Sequence, residues 1–376
     1  MELGFTEEQQ ILRSSVSSMC KEHSDLQSLR EIEDSDIGYS ENFWNQLLAL
    51  GLTGIAIPEE YGGSNMGLLD TTVIYEEFGR ALALSPHFMS SIVSTYLINE
   101  LGTDEQKQKL LPGIVSGDKV LTLAWLEKSS SFNISGINLA LTNNKNSSTL
   151  NGTKHMVQYA STASEAIVFF RDGDSVGAAI VDLNQPGVKY TYQPNHAKTS
   201  MYEVVFNDVE ISNSMILNQD NFWAKWEDIS CRCQVLLSAE ASGGCERSLY
   251  IGRDYSLDRE AFGQKIGSFQ SIAHYLADGL VHVESNKLIT YQAAWASDEG
   301  MKISKFSAMA KLQACRSFRE VSATTIQIYG GMGFTVEADP QLFFRRAKHL
   351  QNYLWDDGYL ESQLEKVFFS SQKKET

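Results

Sequence analysis

Gln327-Ile328-Tyr329-Gly330-Gly331-Met332-Gly333-Phe334-Thr335-Val336-Glu337, followed by the basic run Arg345-Arg346-Ala347-Lys348, is the stretch on which the reading of this chain turns. Three glycines in four positions let the backbone turn tightly. They also leave N–H groups open to a flat or phosphorylated ligand that a Cβ would obstruct. The same cluster suits a plain helix C-terminus, because glycine readily takes the conformation that closes a helix. Both readings fit what surrounds it. Helical periodicity runs over 228–257, 267–297, 302–329 and 340–368, so the cluster closes the third of four long helices with apolar stripes, and four such helices form a bundle.

Working back toward the start, the character changes twice. From Val120 to about Ile216 the chain is rich in Thr, Val, Ser and Asn. Short apolar runs such as Ala166–Phe170 and Val176–Val181 are separated by Asp-Gly, Asn-Gly and Gln-Pro-Gly signals, which predicts a small antiparallel β domain. The first ~120 residues are again helical, over 5–24, 41–50, 68–83, 88–101 and 104–116. Two of these helices open on capping-box spacings, Thr6 to Gln9 and Thr103 to Gln106. The expected organisation is a helical domain over 1–119, a β domain over 120–224 and a helical bundle over 225–376.

At 376 residues with 43% hydrophobic content, the chain can bury a sizeable core in two or three domains. Its formal charge of −16, from 47 acidic against 31 basic residues, argues against nucleic acid or an anionic membrane as a main partner. No window nears the roughly 18 apolar residues of a membrane span, and Met1-Glu2-Leu3-Gly4-Phe5-Thr6 lacks a basic-then-apolar leader, so a cytoplasmic location is the expectation. Cys20, Cys231, Cys233, Cys245 and Cys315 are few and odd in number, which fits reduced thiols. Cys231-Arg232-Cys233 finds no answering Cys or His pair at ligand spacing, so no metal site is expected.

Taken with three other segments, the glycine cluster resembles the flavin site of the acyl-CoA dehydrogenase family. These are Arg259-Glu260-Ala261-Phe262-Gly263-Gln264 with Gln270 eleven residues after the arginine, the amino-terminal Gly51–Gly63, Glu76–Arg80 and Gly102–Pro112 runs, and Phe206-Asn207-Asp208-Val209-Glu210-Ile211. The last is similar to the family's strand pair. Order and spacing agree from about residue 3 to residue 360. The resemblance implies an N-terminal all-α domain, a middle antiparallel β-barrel or sandwich and a C-terminal four-helix bundle. It implies FAD as cofactor, an acyl-CoA thioester as substrate, an electron-transferring flavoprotein as electron acceptor, and a tetramer in which the ADP half of the flavin reaches a neighbouring subunit. The residues it assigns to the cofactor are Arg259, Phe262, Gln270, Gln327, Gly330, Gly331, Gln158 and Asp356. A guanidinium at 259 suits a pyrophosphate, which its planar fork of donors can grip at two points.

In family members a glutamate takes the α-proton of the thioester while flavin N5 accepts a hydride from the β-carbon. The commonest position of that base, six residues after Lys348, holds Leu354; the alternative, twenty-six residues before Arg259, holds Cys233, with Gln234 where an arginine commonly follows. Glu240, seven residues beyond Cys233 and on the same helical face, is the best substitute, and a carboxylate bonded within the bundle is the competing reading of it. Glu246, Asp356 and Asp357 are weaker candidates. The β domain departs too: Trp125-Leu126-Glu127-Lys128 stands in the flavin loop, Met156 where a tryptophan packs on the ring, and Gln158 where a hydroxyl bonds it. These losses resemble the branch forming α2β2 heterotetramers on steroid or branched side-chain thioesters, in which one subunit lacks the base. Four readings remain: a dehydrogenase using Glu240, a non-catalytic subunit completing a partner's flavin site, an enoyl-CoA reductase, and a helical scaffold unrelated to flavin.

Overall fold

The computed structural model describes residues 4–33, 35–129, 131–143 and 147–370. Met1–Leu3, where the leader reading begins, and 371–376, at the end of the expected bundle domain, lie outside them. In chain order the helices are α1 (Glu7–His23), α2 (Leu26–Glu33), α3 (Glu41–Ala49), α4 (Leu68–Ala81), α5 (Thr95–Leu101) and α6 (Asp104–Ser116). Seven strands follow: β1 (Leu121–Ala124), β2 (Ala140–Asn143), β3 (Ser147–Gln158), β4 (Glu165–Asp172), β5 (Ser175–Asp182), β6 (Val188–Tyr192) and β7 (Met201–Ser212). Then come α7 (Phe222–Asp258), the hairpin β8 (Glu260–Ala261) and β9 (Gln264–Lys265), α8 (Gln270–Asp298), α9 (Ser304–Tyr329), α10 (Pro340–Asn352) and α11 (Asp357–Ser370). No helix among the described residues is long and apolar enough to cross a membrane.

Two compact units result, one within Met1–Leu29, Gly67–Ala83 and Cys231–Thr376, the other within Arg30–Met66 and Leu84–Ser230. In the second unit the sheet order is β1-β4-β2-β3-β7-β6, with β5 also pairing β4. It is not all antiparallel as expected. β1 runs parallel to β4, Leu121 opposite Glu165, and β2 meets β4 in parallel at Ala140 and Arg171. Residue alternation is the same in either orientation, so the sequence pattern could not tell them apart. β4, flanked by neighbours on both edges, buries Ala166–Phe170 without a break, as a central strand covered on both faces does. Asn151-Gly152 is no turn either. It lies inside β3 at a register shift, and Phe206–Ile211 belongs to one long strand, β7, rather than to a pair. Leu150, Phe170, Val204 and Phe206 centre the core of this sheet.

Both capping boxes form. Thr6 Oγ1 accepts the Gln9 N–H at 3.2 Å while Gln9 Oε1 accepts the Thr6 N–H at 3.1 Å. Thr103 and Gln106 repeat the exchange at the start of α6, and the Gln106 amide also donates to the carbonyls of Ser214 and Ile216. The expected helix over 88–101 opens as a π-helical turn, Phe88–Ser94, before α5.

In the first unit α4 crosses α7 at backbone distance. A Cβ on Gly79 would stand 1.9 Å from the Glu240 carbonyl oxygen, and one on Gly243 would stand 1.9 Å from that of Glu76. Each glycine therefore lies against the other helix's main chain, where no side chain fits. Gly243→Ala is expected to cost at least about 1–3 kcal/mol by forcing the helices apart, read as a fall in the thermal midpoint.

The fourth long helix is broken. α10 ends at Asn352 and α11 starts at Asp357, because Leu354 and Trp355 have φ of 50° and 55°. Each costs on the order of 1–2 kcal/mol for a residue with a Cβ. The signal was present in Asp356-Asp357-Gly358: the Asp356 carboxylate accepts the Tyr359 N–H at 2.9 Å and caps a new helix.

Candidate functional site

One end of the bundle gathers most of the residues expected to meet a cofactor. Tyr255, near the end of α7, stacks on Tyr329, the last residue of α9, with ring centroids 3.9 Å apart and planes 18° from parallel. Arg259 lies one turn beyond Tyr255 and Gly330 is next to Tyr329, so the stack brings the arginine motif beside the glycine cluster. Gly330 has φ 63° and ψ −139°, which only glycine takes readily, and a Cβ on either Gly330 or Gly331 would meet nothing within 4 Å. Open space therefore lies over this backbone. Gln327, one turn earlier on α9, is exposed. Phe262 sits at the tip of the β8–β9 hairpin, 96% exposed, with its ring edge-on to Phe269 at 6.2 Å. Gln270 is the exposed first residue of α8. The Arg259 side chain is exposed and makes no ion pair or hydrogen bond among the described residues. A free guanidinium, an exposed amide and a bare glycine backbone together fit an anionic, flat-ended ligand.

Glu240 stands elsewhere. At ~1.5 Å rise per residue it lies about 28 Å along α7 from Arg259. Its carboxylate pairs with Arg346 at 3.4 Å, with side chains 14% and 5% exposed respectively. Burial raises its pKa above the ordinary carboxylate value, and Arg346 opposes that rise. The second arginine of the basic run is thus the partner of the candidate base, a link that neither motif shows alone.

Cys233 is fully buried, and burial pushes its thiol up to about 12, so it stays protonated. Gln234 beside it is also buried, its amide N–H donating to Gln363 at 3.4 Å. Leu354 is 2% exposed. Both usual base positions are therefore closed by uncharged side chains. Asp356 caps α11, as described above, and Asp357 accepts from Arg316 at 2.9 Å and from Gln351 at 2.9 Å.

Glu246 belongs to a separate cluster on α1, α4, α7 and α8. Arg80 binds Glu76, Glu77 and Glu246; Arg13 reaches Glu77 at 2.9 Å and Glu76 at 3.1 Å; Lys287 meets Glu246 at 2.5 Å; and the Tyr291 hydroxyl donates to Glu76. Burial works to raise the Glu246 pKa, but Arg80 and then Lys287 hold it below the ordinary range. A carboxylate so engaged is structural. Periodicity placed these groups on helices but could not show that three carboxylates and three cations converge.

In the second unit Gln158 ends β3, and its carbonyl accepts the Thr122 hydroxyl at 2.6 Å. Met156, 38% exposed, and Tyr159 both have φ of 54°, so the strand is kinked where the resemblance puts the ring contacts. Lys154 is fully buried, its Nζ donating to Glu127 at 2.8 Å and to the Trp125 carbonyl at 3.1 Å. Burial lowers its pKa to about 8 against the opposing pull of Glu127. Glu127 also accepts the Asn138 and Leu139 N–H groups at 2.8 and 2.9 Å, so the 125–128 loop is tied from two sides.

A helical N-terminal part, a curled sheet and a C-terminal set of helices with a glycine-lined end make up an α–β–α architecture. Residues 6–118 match the acyl-CoA dehydrogenase N-terminal domain and residues 234–367 the C-terminal domain. The chain belongs to the acyl-CoA dehydrogenase family. It is 27% identical over 367 residues to an acryloyl-CoA reductase (NADH) of Anaerotignum propionicum, covering 94% of this chain and 92% of that one. It is 28% identical over 360 residues to the mitochondrial isovaleryl-CoA dehydrogenase of Pongo abelii, covering 92% and 85%. Among solved structures, the ChsE4-ChsE5 complex from Mycobacterium tuberculosis superposes with a TM-score of 0.88 at 25% identity, covering 100% of both chains.

Proposed function

We propose that this chain is an FAD-binding member of its family acting in α,β-dehydrogenation of an acyl-CoA thioester, with electrons passing to an electron-transferring flavoprotein. The observation that carries this reading is the bundle end, where uncommitted Arg259 stands beside the open Gly330–Gly331 backbone. These residues fit the pyrophosphate and adenosine side of FAD, with Gln327, Phe262 and Gln270 at the rim. FAD, when bound, supplies the hydride acceptor. This chain's own residues would grip it and, through Glu240, hold the carboxylate that takes the α-proton.

A second reading is favoured by a specific observation: Leu354 and Cys233 close both usual base positions, and Glu240 is engaged by Arg346. On it the chain is the non-catalytic partner in an α2β2 assembly, and Arg259 with its glycines completes a flavin site whose base lies on a related chain. The separation of Arg259 from Glu240 along α7 supports this use of opposite ends, and the two-chain ChsE4-ChsE5 relative is in keeping with it. A homotetramer serves the first reading equally.

The visible spectrum of the protein purified alone, followed by anaerobic addition of straight, branched and steroidal acyl-CoA thioesters, separates the two. A yellow protein bleached by a thioester supports the dehydrogenase. A colourless or unbleached one that turns over only when co-purified with a related chain supports the subunit. In either case Arg259→Ala is expected to weaken FAD retention by about 1.5–3 kcal/mol, measured by equilibrium dialysis. Undiminished retention would remove Arg259 from the site.

A further inference from the structure

Lys311 stands on the buried face of α9 with Ala308, Ala314 and Cys315, and none of its surface is exposed. No ion pair to it is found among the described residues. Its Nζ instead donates to two backbone carbonyls, Leu350 O at 3.1 Å and Trp355 O at 2.9 Å. These two oxygens bracket the break between α10 and α11. Leu350 lies in the last turn of α10, where carbonyls lose their helical partners, and the Cys315 thiol also donates to its oxygen at 3.5 Å. Trp355 is the second of the two left-handed residues. Beyond the break, Asp357 accepts from both Arg316 and Gln351, and Asp356 caps α11. Those contacts fix the start of α11, while from within Lys311 holds the carbonyl that follows the left-handed pair, Trp355 O. Burial lowers the Lys311 pKa, and Cys315, Asp357 and Asp356 oppose that. An amine so costly to bury, and spent on two carbonyls, points to a geometry worth holding.

We propose that Lys311 is a positioning residue, whose two hydrogen bonds preset the left-handed pair Leu354–Trp355 and so fix the direction in which the side chain at 354 leaves the chain. The functional half of this inference rests on the reading of position 354 as the family's base position. The turn is then a preformed mount that lacks only its carboxylate.

The test has two arms, both in the full chain. In the first, Lys311→Met is compared with the unsubstituted protein by hydrogen–deuterium exchange. Peptides covering 353–357 are expected to exchange at least tenfold faster while those from α8 and β3 keep their rates; an unchanged rate in the turn overturns the clasp. In the second, Leu354→Glu is given an α-deuterated acyl-CoA thioester, with Leu354→Gln as the neutral control. The new carboxylate takes the deuteron from the α-carbon and a solvent proton replaces it, with no electrons transferred. Washout by the first variant and not the second is expected. Adding Lys311→Gln, whose shorter stem cannot reach both carbonyls, should lower the washout rate tenfold or more at unchanged KM and displace the midpoint of its pH profile. A merely structural loss would reduce the amount of active protein and leave that midpoint in place, which would overturn the positioning role. Leu354→Glu without washout overturns the reading of position 354, and the exchange arm then still decides the clasp.

Discussion

Arg80→Met is expected to remove about 3–5 kcal/mol of folding stability, the range seen when one partner of a buried ion cluster is taken away. Arg80 is the hub of its cluster: one guanidinium serves Glu76, Glu77 and Glu246, whose side chains are 2%, 5% and 10% exposed. Arg13 and Lys287 remain in the variant, but three carboxylates would share two cations. Arg80→Lys should recover only a fraction, since a point charge on a flexible stem cannot span the three acceptors that a planar fork reaches. Urea unfolding at neutral pH reads the loss, and a change below about 1 kcal/mol would mean that the cluster relaxes without its centre. The pH dependence follows from Glu246. Its folded pKa lies below the unfolded value, so its contribution is present above the unfolded carboxylate range, near 4.3, and is lost as pH falls through the lower folded value. The gap between Arg80→Met and the unsubstituted protein should therefore close in acid.

Lys154 makes a prediction at the alkaline end of the pH range. Burial lowers its pKa from 10.5 to about 8, so the fold disfavours the charged amine. Below pH 8 both folded and unfolded chains carry the proton, and the fold bears the full cost. Between pH 8 and 10.5 the unfolded chain is protonated and the folded chain is not, so stability from this group rises with pH, by about 3 kcal/mol over the interval. Lys154→Met should lack that rise, whatever other groups do in both proteins. Urea midpoints at pH 7.5 and 10.5 for the two proteins measure the difference. Parallel profiles would mean that Glu127, 2.8 Å away, holds the amine charged throughout. The residue matters because it ties down Trp125–Lys128, the loop that the family resemblance puts at the flavin ring.

The parts of the fold that could be read in advance share one property: their determinants are local. The capping boxes at Thr6 and Thr103 and the helix run 104–116 needed only neighbours within one turn. Features decided by distant partners could not be read in this way. β4 takes parallel partners in β1 and β2 and an antiparallel one in β5, and nothing within Glu165–Asp172 distinguishes the two orientations. The break at Leu354–Trp355 is held by a lysine some forty positions earlier, and Lys311 was visible in the sequence only as a charge interrupting the apolar stripe of α9. The candidate site divides likewise. Arg259 and Gly330 were found by motif, and the Tyr255–Tyr329 stack that brings them together was not. Glu240 was found by counting along a helix. Its pairing with Arg346 required the bundle.

The glycine crossing of α4 and α7 has a mechanical consequence. Gly79 rests on the main chain at Glu240, and Gly243 on the main chain at Glu76, so the two helices are notched into each other at two points a turn apart. Neither can slide or roll without driving an oxygen of its neighbour into a carbon. Any displacement of α4, whether from a docking protein, a ligand or strain in the Arg80 cluster, is thus transmitted to the backbone that carries Glu240. The crossing behaves as a rigid coupling rather than a bearing, and a force applied at the charged cluster is felt at the candidate base.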